Sequence, residues 1–363
     1  RLAFYNADTV SIDTLGLFIN GRTVAGMPPV QQFVLTEATD SIFIGRVGRT
    51  GESVTRTNLL SLSVSRKYVP KMKGEYKVGG EGADYATLAA AIKDLEEIGM
   101  EGDVDLLICA DLKETENTSL VNQTDYTLTI RPDKAEMRTI EYGDQLDNPG
   151  PSGHITIGYD LKGWAATPTK NVVIDGSFDG EGQYLTIKAG DGTNAGVLVL
   201  FYGKVTNSVV KNCRLINERT TKTNYITQFR VEQLVSGTNP DAEYRTDNSP
   251  IGVGFENCYM QVIGVGNAQA VYYNGAVAAT SKVGGPKDCF VKNCEIVANL
   301  RGIFLNGADG AIIEGNTFRL PKAPTGFLAH GIMGYSEMGV ISVRGNQFLE
   351  MKTNNTSAGD YRS

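Results

Sequence analysis

Apolar residues fall along this chain in short runs broken by Gly, Asn, Asp and Pro, the pattern of many brief strands, and only once at helical spacing. The helical stretch lies within GGEGADYATLAAAIKDLEE, Gly79 to Glu97, and the residue after it, where Leu88, Ala91, Ile92, Leu95 and Ile98 step by three and four. This spacing predicts a helix over 85–98, with Asp84 as an N-cap carboxylate and Gly99 as the C-terminal stop. A glycine-rich turn before a helix can also cradle a phosphate. Neither GxxxxGK[ST] nor GxGxxG is present, however, and Glu81 and Asp84 put carboxylates where an anion would have to sit. The stretch reads as a turn and an amphipathic helix that shields the open end of whatever follows.

Ahead of it, TVSIDTLGLFI, VQQFVL, SIFIGRV and NLLSLSVS predict a small all-β unit over 1–73, ending in the linker-like RKYVPKMKG. Behind it, DVDLLICADL and YTLTIRP read as strands, and a repeat then becomes visible: SVVKNCRLIN, VGFENCYMQV, CFVKNCEIVA, AIIEGNTFRL and ISVRGNQFLE. Each copy places Asn or Gly before a small residue (Cys213, Cys258, Cys294, Asn316, Asn346) and a large apolar residue two places later (Leu215, Met260, Ile296, Phe318, Phe348). A second short apolar strand precedes several copies, as GVLVL, AVYY, GIFL and GIM. Units of this length cannot bury an apolar face alone. They must stack as coils of a solenoid, with equivalent residues in ladders, so the Cys-Cys-Cys-Asn-Asn column is expected at a tight corner.

Composition narrows the function. The chain has 363 residues, 41% of them hydrophobic, and a net charge of -7 without a Lys/Arg cluster, which argues against a nucleic-acid backbone as partner. No apolar run is long enough to span a bilayer. Five cysteines, with no CxxC pair, suit buried thiols better than a disulfide framework or zinc, and two histidines leave little for metal chemistry.

The phrase GEYKVGGEGADYATLAAAIKDL, followed by GMEGDVDLLICADLKETE and later NVVIDGSFDGEGQYLTI, resembles β-helix domains of large secreted proteins of Bacteroidetes-type bacteria. The broader likeness is to right-handed parallel β-helix proteins of the pectate-lyase-like superfamily. It implies an all-β, right-handed parallel β-helix over 74–363, and a protein secreted or held at the bacterial cell surface, associated with the outer membrane. Pectin methylesterases begin similarly, but motifs resembling GNVDFIFG and LGRPW are absent. Pectate lyases hold Ca²⁺ on clustered carboxylates. The best acidic cluster here, DGSFDGEG with Asp175 and Asp179, matches no calcium-loop spacing, so no cofactor is expected and Ca²⁺ is the one ion left to consider.

Candidate binding residues come from the longer insertions, expected at 147–171, 223–249 and 271–288. Trp164, Tyr159, Tyr225, Tyr244, Tyr272 and Tyr273 offer aromatic surface for sugars, with Asp175, Asp179 and Arg301 as polar company. The first expectation is a non-catalytic adhesin or glycan-binding module whose partners are carbohydrate or other domains of a surface protein. An enzyme, a polysaccharide lyase or glycoside hydrolase, is the alternative, and it would need two carboxylates and a basic residue to converge. A subunit of an extracellular assembly, pairing through an uncapped coil, is the third.

Overall fold

The computed structural model divides the chain into two compact units, Arg1–Pro70 and Lys71–Ser363. It describes residues 2–7, 15–19, 22–24, 42–47, 70–143, 153–160, 165–190, 196–219, 224–232, 248–263, 268–275, 285–321, 329–335 and 339–351. In the first unit Leu2–Ala7, Leu15–Ile19, Arg22–Val24 and Ile42–Val47 share one sheet. Ile42–Val47 runs parallel to Leu2–Ala7 and antiparallel to Leu15–Ile19. The strands expected at VQQFVL and NLLSLSVS lie outside the described residues.

The second unit begins inside the expected linker, because Met72–Val78 is already a strand paired with Met100–Ile108. From there the chain winds through three parallel sheets that hold nine, eight and seven strands among the described residues. One coil illustrates the plan. Phe290–Lys292 enters the nine-strand sheet, Glu295–Ala298 the eight-strand sheet and Arg301–Asn306 the seven-strand sheet, after which Ile312–Glu314 settles in register on Phe290–Lys292. Parallel strands joined across one sheet take the right-handed crossover. The architecture is therefore the right-handed parallel β-helix that the repeat and the resemblance led us to expect.

The repeat grammar is the grammar of one corner. Cys213, Cys258, Cys294 and Asn316 are buried where the nine-strand sheet turns into the eight-strand sheet, and from Cys258 onward the backbone N–H of one rung bonds the side chain of the next. Cys258 N donates to Cys294 Sγ at 3.4 Å, Cys294 N to Asn316 Oδ1 at 2.9 Å, and Asn316 N to Asn346 Oδ1 at 2.9 Å. Each amide also donates inward across the rungs, Asn316 to Val291 O and Asn346 to Ile313 O, both at 2.9 Å. Cys258 and Cys294 thus sit on consecutive rungs, as thiols, and burial pushes the Cys213 and Cys258 thiols up, away from reactive thiolate.

The residue just before each ladder position supplies the turn itself. Asn212, Asn257, Asn293, Gly315 and Gly345 all have φ between 51° and 68°, the left-handed region that Gly and Asn tolerate best. On the outer face of the nine-strand sheet, register aligns Arg131, Asp175, Lys211, Glu256, Lys292, Glu314 and Arg344 into one column of alternating sign. Exposed pairs contribute little each, but a slip by one rung would put like charges together.

The helix spans Leu88–Ile98 rather than 85–98 and closes the first coil. Tyr85 is held back as a β-bridge to Val78, and Thr87, not Asp84, is the N-cap, its side chain accepting from Ala90 N at 3.2 Å. Asp84 serves the turn instead by accepting from Lys77 N at 2.7 Å. Leu88, Ala91, Ile92 and Leu95 are buried in the core of the solenoid. A second cap comes from the first coil: Glu114, itself buried, accepts from Leu88 N at 2.7 Å and Ala89 N at 3.2 Å. One carboxylate thereby fastens the plug to the rung it covers and answers the partial positive charge of the helix N-terminus.

Two outcomes test this closure. Ile92→Asp puts a charge against the core and should cost about 3 kcal/mol or more in urea unfolding, with light scattering reporting association; an unchanged midpoint would show that the helix seals nothing. Burial outweighs the two N–H bonds at Glu114 and raises its pKa above the ordinary value. The folded protein then holds this proton more tightly than the unfolded chain does, so the stability it confers is complete below the ordinary glutamate pKa of about 4.3 and is lost as pH rises through the raised one. Urea midpoints across that window should fall with pH in the native protein and show less of that fall in Glu114→Gln.

Candidate functional site

Strand alternation sorts the aromatic residues into two sets. In Ala268–Asn274, Tyr273 turns inward, fully buried, with its ring 4.8 Å from that of Phe229 and its hydroxyl donating to Cys289 O at 3.0 Å. Tyr272 turns outward. Because rungs stack in register, Gln228, Tyr272, Phe304 and Met333 form one outward column of the seven-strand sheet, flanked by Tyr225, Gln269, Arg301 and His330 on one side and by Arg230, Asn274 and Asn306 on the other. Tyr225, Tyr272 and Phe304 stack with centroids 5.6 Å and 5.1 Å apart and planes within 16° and 4°. Such offset pairs add about 0.5–1.5 kcal/mol each beyond area burial and hold the rings rigid.

Polar groups are threaded through the stack. Asn306 Nδ2 donates to the Tyr272 hydroxyl at 3.0 Å, so that the phenol keeps its own proton for another acceptor, and Asn274 Nδ2 donates to Gln228 Oε1 at 3.3 Å. Arg301 lies with its guanidinium carbon 4.5 Å from the Phe304 ring centre and gives Nη1 to Gln269 Oε1 at 3.2 Å. Burial, then the neighbouring Tyr272, pushes the Tyr225 pKa up to about 12, which keeps that phenol a neutral donor. Burial likewise draws the Arg230 and Arg301 pKa values down from the usual arginine value, although both stay charged at neutral pH. Among the described residues no group of three His, Cys, Asp or Glu is placed to hold a metal.

The residues expected from sequence fall in different places. Tyr225, Tyr272 and Arg301 come together, the two tyrosines on strands rather than on insertion loops: Asn224–Arg230 and Ala268–Asn274 are regular members of the sheet. Tyr273 is corrected to a core residue. Tyr159 is buried in a small cluster with Leu200 and Tyr202, its ring 5.2 Å from that of Tyr202. Trp164 and Tyr244 lie outside the described residues. Asp175 belongs to the corner of the nine-strand sheet, bonded to Ser177, to Asn212 at 2.8 Å and to Lys211 at 3.1 Å, which together hold its carboxyl below the usual range despite burial. Asp179 is exposed in the adjoining turn with φ 51°. Asp175 stands on the nine-strand sheet, Asp179 in the turn beside it and Arg301 on the seven-strand sheet, so they do not assemble the set that carboxylate catalysis uses. Phe304, Gln228, Gln269, Asn274 and Asn306 went unnoticed in the sequence, because runs such as YITQFR and AVYYN do not by themselves say which side chains face outward.

No protein-family model matches the sequence, and no curated protein matches it. Among solved structures the chain is similar to a pectin methylesterase from Aspergillus niger, at 12% identity over 83% of this chain and 92% of that one, with a TM-score of 0.39. It is also similar to a rhamnogalacturonan lyase, at 11% identity over 80% and 89% with a TM-score of 0.30. A third is the A-module of an Azotobacter vinelandii mannuronan C-5 epimerase, at 12% identity over 73% and 91% with a TM-score of 0.29. Superpositions this loose carry no argument about activity, and the fold rests on the sheets described above.

The two faces of one strand should separate in experiment. Tyr273→Ala should cost about 3–5 kcal/mol in chemical denaturation, as for a buried aromatic, while Tyr272→Ala should cost about 1 kcal/mol; equal losses would contradict the assignment of the outward face.

Proposed function

We propose that the chain is a secreted or cell-surface β-helix protein that binds glycan along the outer face of its seven-strand sheet without turning it over. The observation that carries this is the outward stack Tyr225–Tyr272–Phe304 with amides and a guanidinium set among its rings. Rungs repeat at roughly 4.8 Å, so hydroxyl and amide groups recur along the axis at intervals that a polymer of hydroxylated rings can meet again and again. The rings supply apolar edge, and the Tyr272 and Tyr225 phenols supply donors. Rigid strands carry the groups, so little side-chain entropy is lost on binding. The placement of Asp175 and Asp179 away from Arg301 favours binding over turnover.

A second reading, a subunit of an extracellular assembly, has its own observation. The last described rung leaves Val343 and Phe348 each 49% exposed, although both are in register with fully buried core residues, Ile313 and Phe318. A second copy of this chain, tail to tail, is the occupant that this reading names, because the helix closes the other end to head-to-tail growth.

Titration calorimetry with pectin, alginate and neutral glucans, run beside a product-release assay, tests both readings. Binding of at least one polymer, weakened about tenfold in Tyr272→Ala with its fold intact, is the expected result. Released product would overturn the non-catalytic reading. A strictly monomeric sedimentation profile at high concentration would dispose of the tail-to-tail assembly.

A further inference from the structure

Among the described residues nine large apolar side chains are exposed, and six of them, Tyr335, Val340, Val343, Phe348, Leu349 and Met351, belong to the last rung. Apolar surface gathered in this way marks an interface, whereas scattered apolar residues need no explanation. Beneath it Phe318 is fully buried with its ring 4.9 Å from that of Phe348, so the core runs up to this end and stops uncovered. Residues 352–363, KTNNTSAGDYRS, hold one large apolar side chain, Tyr361, too few to line a further coil in the manner of its predecessors. The helix Leu88–Ile98 occupies the other end, so a second copy meets this rung with its own last rung.

Tail-to-tail contact about a two-fold axis sets every strand antiparallel to the one it meets. The sheet on the axis pairs its last strand with its own copy, and the other two sheets exchange partners. Strand length chooses among the three placements. With Ser342–Arg344, of three residues, on the axis, the strands that exchange are His330–Tyr335 and Gln347–Met351, of six and five residues. Any other placement sets the three-residue strand against one of these and leaves backbone groups unpaired. Self-pairing of Ser342–Arg344 centres on Val343, whose side chain turns inward in register with Ile313. Arg344 then stands opposite the partner's Ser342 instead of another arginine. In each copy the Ser342 hydroxyl donates to Glu314 Oε1 at 3.1 Å, which brings a carboxylate close to the guanidinium that crosses the axis.

We propose that the last rung is the interface of a two-fold dimer of this chain, in which Ser342–Arg344 pairs antiparallel with its own copy and His330–Tyr335 pairs with the partner's Gln347–Met351. The inference rests on the assembly reading above and adds to it which strands meet.

Val343→Cys tests the pairing, because residues opposite one another in antiparallel strands have Cα atoms about 4.5–5.5 Å apart, within disulfide reach. The full chain should sediment as a dimer at high concentration, and oxidation with copper–phenanthroline in air should join Val343→Cys into a covalent dimer on a non-reducing gel. The native protein and Tyr126→Cys, an exposed position away from this rung, should stay uncoupled. Phe348→Asp charges the apolar centre of the contact and should weaken the dimer about tenfold or more in sedimentation. A dimer weakened by Phe348→Asp but not cross-linked through Val343→Cys, or cross-linked equally through Tyr126→Cys, overturns this pairing and leaves the tail-to-tail reading standing. A dimer indifferent to Phe348→Asp, or a monomer at every concentration, defeats both. Thermal melting checks that each variant is folded; should Phe348→Asp fail to fold, the cross-linking of Val343→Cys decides.

Discussion

Each rung of this solenoid must satisfy its backbone N–H and C=O groups on the rungs beside it, in register and at the roughly 4.8 Å spacing of paired strands. The same constraint repeats each side chain's environment from rung to rung. A residue that suits a corner once must suit it every time, so Asn, Gly, Cys and the large apolar residues recur at fixed places. It also leaves two ends at which the requirement is unmet. At one of them the helix and Glu114 supply the missing cover.

Corners take more specification than faces. Between the nine-strand and eight-strand sheets one left-handed residue reverses the chain, and the next side chain must serve the backbone of the neighbouring rung. Cysteine does so weakly, as a small group that fits the space. Asn316 and Asn346 do so with full amide bonds. The switch from Cys to Asn along the ladder comes at its last two described rungs.

The faces are where function has room. A column on the nine-strand sheet is taken up by charges of alternating sign, of which Lys211 and Asp175 close to 3.1 Å. The outward columns of the seven-strand sheet are different in kind: rings stacked on rings, an amide bonded to a phenol, and a guanidinium laid on a ring. One face carries charges, and the other carries stacked rings and amides.

The solenoid, its stacking, the corner column and the plug helix were legible in the sequence, because each is a local pattern repeated or a period read from neighbouring residues. Asp84 was mistaken for the N-cap because a bridge from Tyr85 to Val78, invisible in the helical period, delays the helix by three residues. Tyr225 and Tyr272 were recognised as binding candidates but placed on loops, and Tyr273 was grouped with them, since a run such as AVYYN does not say which tyrosine faces in until its strand has a sheet to lie on. The meeting of Tyr225, Tyr272, Phe304 and Arg301 was decided only by tertiary structure. The sequence distance between rungs is irregular, whereas their spatial distance is fixed by hydrogen bonding, and only the stacked rungs bring those four side chains onto one surface.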